Sequence, residues 1–270
     1  MNIREKIKKY PILGWMYCFS VNSFYSIKRI RFKRLRRLFR YKSLVKYLST
    51  RKSTLSYRYG VDTEGYIVPE KLDIKSVHVK HAIQYQKCNE SLLTRLLDMD
   101  NLSCQDKVFI DLGSGKGLAL MLASRKPFAR IIGVEFSEKL HVIAKKNITK
   151  FNHHCHDIQC RSVHATFGDA AEFSIPDEPV IIFMCNPFGE KVMQLVVGNI
   201  ETRIRRSPNP LTVIYMIPRQ KHVLDACTSL QNISESFFCD EKDSAIAHFF
   251  SIWKRFPPDN EPNPHPFSRA

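Results

Sequence analysis

The chain has 270 residues, 44% hydrophobic and 25% charged, which fits one large globular domain, or one domain with an appendage, and excludes a disordered or fibrous chain. A chain of this length can bury roughly three quarters of its unfolded surface. All of the net charge of +16 sits in residues 1–58, where 17 of the 42 Lys and Arg meet a single acid, Glu5; the 25 bases and 25 acids of the remainder balance, which makes that part a poor phosphate groove by itself.

In chain order, the first feature is the basic arm, residues 1–56. Tyr10 to Val21 is apolar and aromatic, and Ile27 to Arg40 follows. There Ile27, Ile30, Leu35, Leu38 and Phe39 recur at three- to five-residue steps with Lys and Arg between them, the pattern of a basic amphipathic helix. Four readings stay open: a helix packed on the core, a helix at an anionic membrane surface through residues 1–42, a nucleic-acid arm, and a surface for an acidic protein. Spanning a bilayer is not expected. Roughly 20 apolar residues are needed, and residues 11–27 offer 17 positions broken by Ser20, Asn22, Ser23 and Ser26. No small-residue cleavage site precedes the Arg-rich run, so a cleaved signal peptide is not expected either. The expected location is cytoplasmic, with a membrane-surface position and a mitochondrial presequence as open alternatives.

From Ser43 to about Thr54 the pattern stays helical, and Tyr57 to Ile67 reads as a turn-rich connector, either a flap or a surface loop. Asn89 to Met99 reads as a helix capped by Asn89, with Leu92, Leu93, Leu96 and Leu97 on its apolar side. An alternation then begins over 57–255: strand 107–112, helix 116–125, strand 130–135, helix 137–149 with Ser137 as its cap, a strand near 161–167, strand 180–185, a helix from about 190 to 206, strand 211–217 and a short helix near 220–230. Ser236–Cys239 and Ile246–Trp253 follow without a helix between them, which predicts a terminal antiparallel hairpin. The expected fold is α/β: a doubly wound, mostly parallel seven-stranded sheet ending in that hairpin, plus the basic helical arm. The tail 256–270 holds five prolines and is expected to be extended or disordered.

The first strand runs into Asp111-Leu-Gly113-Ser114-Gly115-Lys-Gly117, and Leu118 opens the next helix. A strand, a glycine turn and a helix make a half-site for a nucleotide-like cofactor, though an ordinary tight turn has the same outline. The helix N-terminus offers unpaired N–H groups to an anion. The spacing is not that of a dinucleotide fingerprint, which would need glycine at Leu118. It is not a phosphate-binding Walker loop, which would need Ser or Thr at Gly117. The second strand ends on Glu135, with Phe136 after it. A carboxylate there can accept hydrogen bonds from both ribose hydroxyls. The third is followed by Gly168-Asp169-Ala170, and the fourth by Asn186-Pro187-Phe188.

The pattern D-x-G-x-G-x-G, with these three strand ends, resembles the class I S-adenosylmethionine (SAM) methyltransferases over roughly residues 80–253. The resemblance implies that SAM is the cofactor. It implies that Asp111, Gly113, Ser114, Gly115, Gly117, Glu135, Phe136, Asp169 and Ala170 bind it, with Asp169 at the adenine amino group. Asn186-Pro187-Phe188 resembles the (Asn/Asp)-Pro-Pro-aromatic motif of amino-group methyltransferases, one proline short. By that resemblance Asn186 and a backbone carbonyl accept hydrogen bonds from the target nitrogen, and Phe188 packs on the target. The expectation is a SAM-dependent methyltransferase acting on a macromolecule, with a protein amine favoured over an RNA or DNA base. A SAM-binding subunit without catalysis is the reading from another class. The oligomeric state stays open.

Eight cysteines form no C-x-x-C pair, and reduced, mostly buried thiols are expected. His153, His154, Cys155, His156 and Cys160 are read as a solvated loop rather than a metal site, and no metal is expected.

Overall fold

The structure is a computed structural model, and it describes residues 55–73, 78–100, 102–239 and 247–255. The amphipathic helix of the arm, the helical run 43–54, membrane attachment through 1–42 and the tail 256–270 therefore lie outside the described residues. No described helix is long and apolar enough to cross a membrane.

Seven strands form one sheet: β1 (Val108–Leu112), β2 (Arg130–Glu135), β3 (Val163–Phe167), β4 (Val180–Cys185), β5 (Leu211–Met216), β6 (Leu230–Cys239) and β7 (Ala247–Arg255). Their order across the sheet is β3-β2-β1-β4-β5-β7-β6. All neighbours from β3 to β5 are parallel, and β7 runs antiparallel to both β5 and β6. The order reverses between β1 and β4, and in open α/β sheets ligands bind at the carboxyl ends of the strands at such a point.

Alternation on the buried strands divides the core in two. Phe109, Ile131, Ile181, Phe183, Ile214 and Ile252 face one side. They pack there with Leu92, Leu93, Leu96 and Leu97 of α2 (Glu90–Leu97), all of α3 (Leu118–Ala123), and Ile148 and Phe151 of α4 (Glu138–His154). Val108, Ile110, Leu112, Ile182, Met184, Val213, Tyr215 and Trp253 face the other. They meet Val192, Met193, Val196, Val197, Ile200 and Ile204 of α5 (Glu190–Arg206) and Leu224 of α6 (Lys221–Asp225). α1 (Leu55–Tyr59) precedes these, and its Tyr59 ring meets Phe151 edge-on at 4.8 Å. β3 is an edge strand and is mostly open to solvent.

Both predicted caps are present. The Asn89 side chain accepts from the Leu92 amide at 2.9 Å, and Ser137 Oγ accepts from the Leu140 amide at 3.3 Å. α3 starts at Leu118 rather than 116 because Gly117 has φ +83°, outside the helical region. α4 runs five residues past the predicted 149, since its apolar stripe continues through Phe151. Arg203 is 1% exposed in α5, where a basic amphipathic face suggests solvent. Its guanidinium donates to the carbonyls of Pro176, Asp177, Glu178, Ser207 and Asn209 at 2.7–3.3 Å. One planar cation thus satisfies the loops on both sides of α5. The Tyr57–Ile67 connector is largely exposed but anchored to the core. Thr63 is fully buried, and the Asn147 amide holds Asp62 through both its backbone N–H and its carbonyl.

Candidate active site

A cleft opens at the carboxyl ends of β1, β2 and β4. Asp111, Gly113, Ser114, Gly115, Glu135, Phe136, Asn186 and Pro187 line it, opposite Tyr85–Lys87. Tyr85 and Gln86 form a two-residue antiparallel ribbon with Tyr66–Ile67. An adjoining recess shares Gly113, Phe136 and Pro187 with the cleft. It adds Val134, Asp169, Ala170, Phe188, Val192, His78, His81 and Ala82.

The glycine turn is shaped by two close approaches. A Cβ on Gly113 (φ +83°) would lie 2.4 Å from Pro187 Cβ, and one on Gly115 (φ +52°) would lie 2.5 Å from the Tyr85 ring. Neither position accepts a side chain, and the first ties the β1 turn to the β4 turn. Gly117 lines neither hollow, and a Cβ there would lie 3.3 Å from Ala144 Cβ of α4. The expected supply of free N–H groups is also smaller than the sequence implies. The amides of Gly113 and Ser114 donate to Val134 O, that of Gly115 to Glu135, and that of Gly117 to Ser114 O. Leu118 and Ala119, in the first turn of α3, do line the cleft. Lys116 does not. Its ammonium donates to Asp62 and to Glu64 O, both at 2.7 Å, 5.4 Å from the Tyr85 ring centroid. The connector therefore clamps the glycine turn from behind. No local pattern in the sequence marks that contact.

Glu135 is buried, and its two oxygens accept from the amides of Gly115 at 2.8 Å and Ser137 at 2.9 Å. Each oxygen keeps a further lone pair. Burial pushes the carboxyl up to about 7, against the pull of those backbone bonds. Asp111 is also held well above the usual carboxylate range, by burial and then by the charge of Glu135. Burial pushes the Cys185 thiol up to about 12, and Cys88 is raised as well. Both line the cleft as neutral thiols, so no thiolate faces it as a nucleophile.

Asn186 follows β4 with φ +44°, an uncommon value for a residue other than glycine. Its Oδ1 is buried and has no hydrogen-bond partner among the described residues. It lines the cleft and a smaller recess with Ile83, Gln84, Lys87 and Ile217. Phe188 does not share this setting. The left-handed turn at Asn186 sends it to the other hollow, with Phe136 and Asp169, where a β-bridge to Ala82 fixes it. The ring expected to lie on the target thus stands beside Asp169. His78, His81 and Tyr85 carry no motif; long-range pairing alone brings them here. Among the described residues no group of three or more His, Cys, Asp or Glu is gathered as for a metal.

The sequence model of the family described as histone methylation protein DOT1 matches residues 65–186, which span the ribbon, the glycine turn, Glu135, Asp169 and Asn186. Over those residues, under half of its length, the chain is similar to a family of SAM-dependent methyltransferases, and its sheet has the order of the class I fold. The chain is also similar to solved structures, at TM-scores below 0.5. A candidate RNA methyltransferase from Pyrococcus horikoshii is 17% identical, over 76% of this chain and 98% of that one, with TM-score 0.47. An RNA methyltransferase from Salinibacter ruber in complex with S-adenosyl-L-homocysteine (SAH) is 19% identical, over 66% and 97%, with TM-score 0.43. An O-methyltransferase from Bacillus cereus is 15% identical, over 63% and 83%, with TM-score 0.46. No curated protein matches the chain in sequence.

The residues present fit SAM. A side-chain-free glycine turn, a buried carboxylate with spare lone pairs and an apolar recess edged by Asp169 suit, in turn, a methionine moiety, a ribose and an adenine.

Proposed function

We propose that the chain transfers methyl to an amino nitrogen of a protein, a lysine or an N-terminal amine, with Asn186 holding that nitrogen. The observation that carries this is the buried, unpartnered Oδ1 of Asn186 on a strained backbone at the end of β4. Buried polar atoms are rarely left unpaired, and backbone strain concentrates at functional sites. When bound, SAM supplies an electrophilic methyl group on a sulfonium. Asn186 Oδ1 accepts a hydrogen bond from the acceptor N–H and so aims the nitrogen lone pair at the cleft, a positioning effect. Asp111, Ser114, Gly115, Glu135 and Phe136 hold the cofactor's methionine and ribose. Asp169 and Ala170 hold its adenine.

Two features favour a protein amine over a nucleic-acid base. The matching family is described by histone methylation. Phe188, the ring that the base-methylating motif would lay on its target, lines the hollow beside Asp169 rather than the recess at Asn186. The test is incubation of the protein with cell extract and methyl-labelled SAM, followed by protease or nuclease. Label that survives nuclease and maps to a lysine or N-terminal amine supports the reading. Label released by nuclease replaces it with base methylation.

Cofactor affinity should depend on pH in a direction set by Glu135. The free carboxyl holds its proton up to about pH 7, and the ribose hydroxyls need the ionised form. SAH affinity should therefore be flat above pH 7 and fall below it by up to about tenfold per pH unit. Glu135→Gln should weaken binding at pH 8 and flatten most of the slope. Calorimetric affinities that are unchanged between pH 5 and 8 in the native protein would remove Glu135 from the ribose site.

A further inference from the structure

The recess beside Asp169 contains two histidines that the methyltransferase pattern does not explain. His78 Nδ1 lies 2.9 Å from Asp169 Oδ2, while Asp169 Oδ1 accepts from the Ala171 amide at 2.9 Å. The carboxylate is therefore fixed from both sides. A 3-10 turn follows, in which the His81 amide donates to His78 O at 2.8 Å. That turn is pinned to the segment after β4. Gly189 N donates to His81 O at 2.9 Å, and Ala82 bridges Phe188. His81 thereby lines the recess, and its Nε2 is buried with no partner among the described residues.

The rest of the lining is mainly apolar: Val134, Phe136, Ala170, Pro187, Phe188 and Val192. A flat heterocycle with apolar faces and a polar edge fits such a space. An adenine edge offers an amino donor beside ring-nitrogen acceptors. Asp169 supplies an acceptor for the first, and an imidazole N–H supplies a donor for the second. An orphaned ring nitrogen in an apolar recess is costly unless a ligand completes it.

We propose that the His78–His81 turn completes the adenine site: His81 Nε2 donates to a ring nitrogen of the purine, and His78 is a positioning residue that aims Asp169 at its amino group. The inference rests on SAM being the cofactor and on the recess beside Asp169 being its adenine end.

The test is calorimetric binding of SAH and its 1-deaza, 3-deaza and 7-deaza analogues, each lacking one ring nitrogen, to the native protein and to His81→Phe. One analogue should bind the native protein roughly tenfold more weakly than SAH, the cost of one lost buried hydrogen bond. That penalty should vanish in His81→Phe, which itself should bind SAH about tenfold more weakly. For His78, the preference for SAH over S-inosylhomocysteine should fall in His78→Phe and return in His78→Asn, whose amide nitrogen replaces Nδ1. A penalty that persists in His81→Phe, or native binding indifferent to all three deaza changes, overturns the proposal, and the second result needs no folded variant. Absence of SAH binding altogether would instead overturn the cofactor assignment.

Discussion

Asn186→Gly should lose turnover on the order of 10²-fold while its affinity for SAH stays within about threefold of native. Glycine is the informative replacement. Asn186 has φ +44°, a region glycine adopts freely, whereas alanine would add roughly 1–2 kcal/mol of backbone strain. The glycine variant thus removes the side chain and leaves the turn intact. If Oδ1 meets the acceptor nitrogen, the loss belongs to the transfer step, and it appears in kcat rather than in cofactor affinity. Asn186→Ala should show the same kinetic loss plus a lower melting temperature. Native turnover in the glycine variant would show that Asn186 only terminates β4. An equal loss of SAH affinity and rate would make it part of the cofactor wall.

Gly113→Val should abolish measurable SAH binding, for a reason that lies in the protein rather than in the ligand. The added Cβ would stand 2.4 Å from Pro187 Cβ, at a φ of +83° that a β-branched residue rarely adopts. Strain and overpacking together cost roughly 2–6 kcal/mol. The chain escapes that cost by moving the β1 turn away from Asn186-Pro187, which opens the junction of the two hollows. Gly198→Ala in α5 is the control. It lines neither hollow, and a Cβ there meets nothing within 4 Å, so binding should hold. If Gly113→Val binds SAH as the native protein does, the contact between the two turns is not needed for the cleft.

Fold and site were legible to different depths. β1, β4 and β5 are near-continuous apolar runs, which is how strands covered on both faces read. The glycine spacing and the acids after successive strands marked residues that the fold brings to one cleft and its adjoining recess. β6 starts at Leu230, not 236, because Ser234, Glu235 and Ser236 break the apolar pattern near an irregular register between Asn232 and Ser234. Phe188 could not be placed from sequence, since its side of the sheet depends on the φ of Asn186. Lys116, Arg203, His78 and His81 were invisible for a common reason. Each is defined by partners distant in sequence, and none repeats with a helical or strand period.

Calorimetry tests most directly whether the cleft at the ends of β1, β2 and β4 is a SAM site. SAM and SAH should each bind the full chain with one-to-one stoichiometry, and Glu135→Ala should weaken both by roughly 1.5–3 kcal/mol through lost charge-assisted hydrogen bonds. NAD should show no comparable heat. NAD binding tighter than SAM, or SAM affinity untouched in a folded Glu135→Ala protein, would contradict the account.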